Sequence, residues 1–303
     1  MPNPPSPLRY PGSKTHIIDY FEVLLRENLA LGAELVEPYA GGASLSLGLL
    51  ARDAVSSVRL VERDPLLFAF WKAVVTEPAR LCDEIARVQV TLESWKRFRR
   101  YLEIDNPRGH DPVELGLACL FLNRTCFSGI ISAGPIGGVS QSSQYRIDCR
   151  FNHSALMAAV EGAARFRDRI RVTFGDALAY MVRRRDAFAR RGAVVYVDPP
   201  YYEKGYKLYR YHYEDKDHQR LARFLDASTF RWVVSYDNHP FVQRLFKNQK
   251  VVPIYLNYVV KQSRRAEELL ISNLKLLDVE YRTSRRAASR AAHVSKVAST
   301  GSE

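Results

Sequence analysis

Asp198-Pro199-Pro200-Tyr201 sets a carboxylate, two prolines and a phenol ring in a row, directly after Val194-Val195-Tyr196-Val197. The preceding run is uncharged and rich in β-branched residues, the composition of a buried strand. Pro199 and Pro200 each lack an N–H and fix φ, so neither extends a sheet. The chain therefore leaves the sheet at Asp198 in a stiff, extended loop. A carboxylate, a carbonyl released from the ladder and an aromatic ring then gather at the carboxyl end of a strand, the edge where open α/β sheets bind ligands. A planar ring bearing an amino group matches that set. The Asp198 carboxylate and the Pro199 carbonyl accept hydrogen bonds from an exocyclic NH2, and the Tyr201 ring stacks on the heterocycle. Taken by themselves, the four residues are equally a turn that happens to hold two prolines.

Two other groupings carry chemistry. Glu34-Leu35-Val36-Glu37-Pro38-Tyr39-Ala40-Gly41-Gly42-Ala43-Ser44 reads as a short strand running into a glycine turn, with a helix from about residue 43 to 50. Gly41 and Gly42 let backbone approach a ligand, and the helix start offers free N–H groups. The spacing is neither Gly-x-Gly-x-x-Gly nor Gly-x-x-x-x-Gly-Lys-Ser/Thr, which argues against a nicotinamide, flavin or phosphate-cradling loop. Val58-Arg59-Leu60-Val61-Glu62 is a second strand, ending about twenty residues on in an acid placed to bind ribose hydroxyls or simply to sit in solvent. At the front, Arg9-Tyr10-Pro11-Gly12-Ser13-Lys14 joins a ring, a Pro-Gly turn and a lysine ahead of a helix expected over about 15–27. The lysine is suited to pair with a carboxylate and the ring to pack on an adenosine or a sulfonium.

In this order the pieces resemble the Dam-like family of DNA adenine-N6 methyltransferases over roughly residues 8–275. Tyr10–Lys14 is similar to the family's N-terminal cofactor motif, Glu37–Gly42 to its glycine-rich loop and Glu62 to its ribose-binding acid. Asn123-Arg124-Thr125-Cys126-Phe127-Ser128-Gly129 resembles the start of its target-recognition hairpin, and Asp198–Tyr201 its catalytic tetrapeptide. The resemblance implies S-adenosylmethionine as cofactor, with Asp198, Pro199, Pro200 and Tyr201 as the catalytic set. Tyr10, Lys14, Glu37, Gly41, Gly42, Glu62 and Asp198 would face the cofactor. It implies double-stranded DNA as partner, an adenine flipped from the duplex, and no metal. Ser13 and Tyr39 are mild departures from the family pattern. Ser132 is a larger one: members that read GATC carry a basic residue near that position, so GATC specificity is not transferred.

The elements around these residues fit that frame. Ile170-Arg171-Val172-Thr173-Phe174 reads as a strand before Gly175-Asp176 and a helix to about residue 190. Phe174 and Asp176 therefore stand at a strand end, suited either to the adenine end of the cofactor or to core packing and a helix cap. Asp64-Pro65 starts a helix to about 75. Two helices follow to about 101, split near Thr91, then an apolar one over 112–122 and another over 152–166. Further strands are expected at 230–235, 251–258 and 269–272. Alternating strands and helices imply an α/β fold with a doubly wound, mostly parallel sheet. Residues 76–168 interrupt the alternation and read as an inserted, mainly helical recognition domain. Residues 1–75 and 169–280 make the catalytic domain, and 281–303 a basic, disordered tail. Within the insert, 123–147 is long, irregular and rich in Gly, Ser and Gln, the profile of a functional loop. Gln141, Gln144 and Arg146 carry side chains able to read base edges. Arg124 is as able to hold the loop together as to touch DNA. Phe127 either wedges between bases or packs under the hairpin, and packing is the reading taken. His212 and His218 follow the tetrapeptide without a repeated ligand spacing, so solvated or helix-capping roles are expected.

The 303 residues are 47% hydrophobic, enough for a sizeable core, and carry a formal net charge of +12. Only five basic residues and one acid of that balance lie from Tyr281 onward, so the body itself is basic, as a phosphate-binding protein requires. No apolar run approaches the ~20 residues of a membrane span. The start, Met1-Pro2-Asn3-Pro4-Pro5-Ser6-Pro7, lacks the charged and apolar parts of a secretion signal. Cys82, Cys119, Cys126 and Cys149 are widely spaced and read as reduced thiols of a cytoplasmic protein. A companion restriction endonuclease is compatible with such an enzyme, and nothing in the sequence specifies an oligomer. An amino-methyltransferase acting on cytosine N4, RNA adenine or a protein glutamine, and a non-catalytic DNA-binding relative, are the other classes these residues admit.

Overall fold

Seven apolar runs become strands: β1 Glu34–Glu37, β2 Ser57–Glu62, β3 Ile170–Phe174, β4 Val194–Val197, β5 Arg231–Asp237, β6 Lys250–Leu256 and β7 Ala266–Ser272. The computed structural model describes residues 6–9, 12–203, 205, 210–256 and 266–277. Tyr10 and the tail 281–303 lie outside the described residues. The strands form one sheet in the order β3-β2-β1-β4-β5-β7-β6. β3, β2, β1, β4 and β5 run parallel, with Val36 opposite Arg59 and Val195, and Val197 opposite Val234. β7 is antiparallel to both β5 and β6. The order reverses between β1 and β4, and this switch point opens a crevice at the carboxyl ends of the strands.

Ten α-helices are described: α1 Ile18–Glu27, α2 Ser44–Ala51, α3 Pro65–Thr76, α4 Pro78–Arg87, α5 Leu92–Arg99, α6 Pro112–Thr125, α7 His153–Ala164, α8 Ala177–Arg191, α9 Asp215–Asp226 and α10 Pro240–Leu245. A 3-10 turn, Lys14–Ile17, leads into α1. Side-chain caps fix the starts: Asp64 accepts from Leu66 N (2.9 Å), Thr91 from Ser94 N (3.1 Å), Asn152 from Ala155 N (3.0 Å) and Asp176 from Ala179 N (2.8 Å). α9 starts on a capping box of Glu214 and Asp217. The expected loop after the tetrapeptide is thus corrected: His218 sits inside α9, buried, with Nδ1 2.9 Å from the Tyr236 hydroxyl. It neither caps nor meets solvent.

Period-two alternation splits the strands between two hydrophobic layers. Leu35, Val58, Leu60, Val194, Tyr196, Val233 and Leu270 pack on one face with α1 to α3. Val36, Val61, Val195, Val197, Trp232, Val234, Leu269 and Ile271 pack on the other with residues of α8 and α9. Leu81, Ile85, Phe98, Phe121 and Val160, from the helices between α3 and β3, belong to the first layer. Among the described residues no helix is long and apolar enough to cross a membrane.

Candidate active site

The same alternation builds the site. Glu37 follows Leu35 by two residues, Asp198 follows Tyr196, Ser235 follows Val233 and Glu268 precedes Leu270. All four polar residues therefore lie on the first face, at the carboxyl edge of the parallel strands, on the neighbours β1, β4, β5 and β7. Ser235 Oγ donates to Asp198 Oδ1 at 2.6 Å, and the Tyr196 hydroxyl lies 2.9 Å from Ser235 Oγ. Lys14 sits over this row. Its Nζ lies 2.9 Å from Asp198 Oδ2 and 3.9 Å from Glu268 Oε2, and donates to the Gly12 carbonyl at 2.7 Å. The ammonium also stands 5.2 Å from the Tyr201 ring centroid. Lys14 is 5% and Glu268 6% exposed, so their charges meet in a poorly solvated place where unpaired charge is costly. Each Asp198 oxygen keeps a lone pair for a further donor.

Burial lifts two acids of the row, Glu37 and Glu268. Glu37 is raised to about 8, first by burial, with the charge of Asp198 adding and Ser46 and Lys14 opposing. Glu268 is raised by burial against the pull of Lys14 and the Tyr201 hydroxyl.

The glycine turn supplies the opposite wall. Gly41 and Ala43 both adopt left-handed backbone at φ +46°, which turns the chain from β1 into α2. Glu37 Oε1 accepts from Ser46 N at 3.1 Å, in the first turn of α2. Glu62 Oε2 accepts from Gly41 N (3.1 Å), while Oε1 accepts from Arg63 N (2.8 Å) and Asp64 N (2.9 Å). Glu62 is half-buried by surface because the cleft opens onto it. Protein surrounds it elsewhere, and burial raises its carboxyl to about 7, with Asp64 adding and the backbone donors opposing.

The cleft encloses about 1160 Å3 including its open mouth. Lys14, Glu37, Gly41, Gly42, Glu62, Asp176, Asp198 and Pro200 line it. Asp176 does so while capping α8. Pro199 is buried beside it, and the Tyr201 ring lies 6.4 Å from that of Tyr236. Phe174, partly exposed at the end of β3, has its ring 5.4 Å from that of Phe68 of α3. Residues the sequence did not single out close the cleft. Arg210 pairs with buried Asp64 at 3.2 Å and donates to the Leu102 carbonyl. Tyr211 carries Arg63 4.8 Å above its ring, and the Tyr213 hydroxyl meets that of Tyr39 at 2.5 Å. A single polar residue in a strand, such as Ser235 or Glu268, gave no sequence signal. The position of Arg210 follows from a contact 146 residues away in the chain.

Residues 123–147 begin with a clamp. Asn123 is buried; its Oδ1 accepts from Arg9 N (2.7 Å), and its Nδ2 donates to the carbonyls of Arg9 (2.9 Å) and Gly129 (2.8 Å). The N-terminal segment that leads to Lys14 is thereby tied to the loop. Phe127 N donates to Gly134 O (3.0 Å) and Ile136 N to Thr125 O (2.8 Å), closing a short hairpin around a Cys126–Pro135 bridge. Phe127, expected to pack beneath it, is 68% exposed instead. The left-handed Ser128 that follows (φ 57°) turns the chain at this point. Arg124 is half-buried, and its guanidinium donates to the Pro7 carbonyl, so it holds structure rather than offering itself to a base. Gln141 is likewise engaged: its Nε2 donates to Ile136 O (2.8 Å) and Gly138 O (2.6 Å), and its Oε1 accepts from Ile147 N (2.8 Å). Gln144 and Arg146 are exposed. Ile130, Ile131 and Ser132 reach back to line the cleft.

A seven-stranded sheet in this order, a glycine turn and an acid at the next strand end define a Rossmann-like methyltransferase. Residues 10–262 match the model of the D12 class N6 adenine-specific DNA methyltransferases, and the chain belongs to that family. It is accordingly an adenine-specific DNA methyltransferase. No protein in a search of curated sequences matches it significantly.

Proposed function

We propose that the protein transfers a methyl group from S-adenosylmethionine to N6 of an adenine flipped out of double-stranded DNA. The observation that carries this reading is Asp198, fixed at both oxygens by Ser235 and Lys14, at the rim of a cleft walled by Glu37 and Glu62. The cleft fits the cofactor chemically. Glu62 and Asp176 are acceptors for ribose hydroxyls and adenine, Glu37 is an acceptor for an ammonium group, and Ser13 and Ser44 are donors for a carboxylate. When bound, S-adenosylmethionine supplies an electrophilic methyl carried on a sulfonium. Asp198 and the Pro199 carbonyl accept the two amino hydrogens, which favours a pyramidal nitrogen with its lone pair directed at the methyl. With that group bound, the methyl would pass to the N6 lone pair as its bond to sulfur breaks. N6 then carries the positive charge, and its proton passes to Asp198 and onward to solvent. Tyr201 stacks on the flipped base, contributing about 1–3 kcal/mol toward the cost of unstacking.

Glu62→Ala is expected to weaken S-adenosylmethionine binding by about 1–3 kcal/mol, the worth of a charge-assisted hydrogen bond. Because the carboxyl must be ionised to accept from both hydroxyls, and ionises only near pH 7, wild-type affinity should fall roughly tenfold from pH 8 to pH 6. The variant should lack most of that dependence. Calorimetry giving equal affinities and parallel pH profiles would remove Glu62 from the cofactor site.

Sequence reading falls to the exposed part of 123–147, with Phe127, Gln144 and Arg146 as the contacts and residues 76–168 as the recognition unit. Arg124 and Gln141 support it from beneath. With Ser132 lining the cleft and no basic residue in its place, the modified motif is expected to differ from GATC. Methylation-sensitive long-read sequencing of DNA from cells expressing the protein checks this, and N6-methyladenine confined to GATC would refute it. A companion restriction endonuclease would have to share that motif.

A further inference from the structure

Glu268 is a buried acid to which the mechanism above gives no task, and it lies beyond the residues 10–262 that match the family. Its place is set by strand pairing: β7 runs antiparallel to β5 with Glu268 opposite Asp237, which turns the side chain to the face that holds Asp198. Lys14 Nζ stands between the two carboxylates, 2.9 Å from Asp198 and 3.9 Å from Glu268. The groups facing Glu268 are Lys14 from the N-terminal turn, Asp198 and Tyr201 after β4, Tyr196 on β4 and Asp237 on β5. Glu37 on β1 faces Asp198 from the other side.

We infer that Glu268 is a positioning residue for methyl transfer, drawing the Lys14 ammonium part-way from Asp198 and adding a negative charge beside the nitrogen that becomes cationic. Without it, Asp198 would be the one carboxylate of the pair still holding Lys14, beside the Gly12 carbonyl, and the oxygen that must accept an amino hydrogen would feel the full pull of the ammonium. With both acids ionised against one lysine, the cluster carries one negative charge more than it neutralises. That excess favours a transition state in which positive charge moves onto N6, and it acts in a water-poor site where such terms are large. This inference rests on the methyl-transfer reading.

The test is the single-turnover rate of adenine methylation by the full chain against pH, for wild type, Glu268→Gln and Glu268→Asp. Wild-type transfer to adenine, measured first, judges the methyl-transfer reading; the ratio of wild type to Glu268→Gln judges Glu268. Burial raises the Glu268 carboxyl above its ordinary range, so the acid is neutral at low pH and charged at high pH. The ratio should therefore be smallest at the acid end of the profile and grow as pH rises, reaching roughly tenfold at pH 8. S-adenosylmethionine affinity should change no more than about threefold, and Glu268→Asp, which keeps the charge, should recover most of the rate at pH 8. A deficit that is the same at every pH, or equal losses in Gln and Asp variants, would mean a packing role and overturn the inference. So would a Glu268→Gln enzyme as fast as wild type at pH 8. Should Glu268→Gln fail to fold, the Asp variant decides by itself: a wild-type pH profile supports the charge, and a uniform loss refutes it.

Discussion

Asp198→Ala should lower the single-turnover rate of methyl transfer by roughly a thousandfold or more, while the protein stays folded and still binds S-adenosylmethionine. The rate effect follows from what the carboxylate does. Ser235 and Lys14 hold its two oxygens in place before substrate arrives. A pre-aimed acceptor of this kind acts on charge that develops only during reaction, and removing one such group in a water-poor site commonly costs two to three powers of ten, about 3–4 kcal/mol. On the proposed mechanism Asp198 also takes the proton that leaves methylated N6, so the loss should fall at the upper end. Stability is affected less. The carboxylate is partly exposed, and Lys14 keeps Glu268 at 3.9 Å and the Gly12 carbonyl at 2.7 Å, so the buried ammonium is not stranded. The checks are methyl incorporation into adenine-containing DNA with enzyme in excess, a thermal melt and calorimetry with the cofactor. A variant that methylates within about tenfold of wild type would remove Asp198 from the reaction centre.

Gly129→Ala should destabilise the protein by about 2–4 kcal/mol, seen as a fall in Tm of roughly 5–10 °C, and should weaken the cofactor site although Gly129 makes no chemistry. The residue has φ +78°, where a side chain costs about 1–2 kcal/mol. A Cβ there would lie 2.3 Å from the Arg9 carbonyl oxygen and 3.4 Å from Asn123 Nδ2. The first of these is a collision with backbone, which no rotamer relieves. Relief requires Arg9 to move away, and that motion breaks the two hydrogen bonds that join Arg9 to Asn123, one accepted and one donated by the amide. A buried amide left unpaired costs a further 1–3 kcal/mol or so. The same segment leads five residues on to Lys14, so the ammonium over Asp198 shifts with it. Thermal melts, with S-adenosylmethionine titrations of the folded variant, test this. An unchanged Tm would mean that the close approach of the loop to Arg9 does not exist in solution.

Local chemistry was legible wherever a single stretch of chain specified it. The caps Asp64, Thr91, Asn152 and Asp176 mark helix starts through their own side chains, and β3 spans the residues expected of it. α9 was not legible in the same way. Its buried apolar stripe is only Leu221, Ala222 and Leu225 among six charged residues, and it is held by packing against β5 rather than by its own pattern. Gln141 and Gln144 are chemically identical and three residues apart. One is spent on three backbone groups of its own loop while the other is exposed, and that division depends on how the loop folds back.

The sequence by itself determined that a strand must end at Asp198, because two prolines cannot continue a ladder, and that an acid and a glycine turn stand at the ends of two other strands. Tertiary structure alone decided what Asp198 faces. Parity along β4 turns it to the face of Tyr196, the β4–β5 register brings Ser235 beside it, and the antiparallel return of β7 carries Glu268 in from 70 residues away. The Asn123 clamp, 114 residues from Arg9, steadies the segment that delivers Lys14. Side-chain type is a local property, but the partner of a buried charge is fixed by strand order and register, which no local stretch of chain contains.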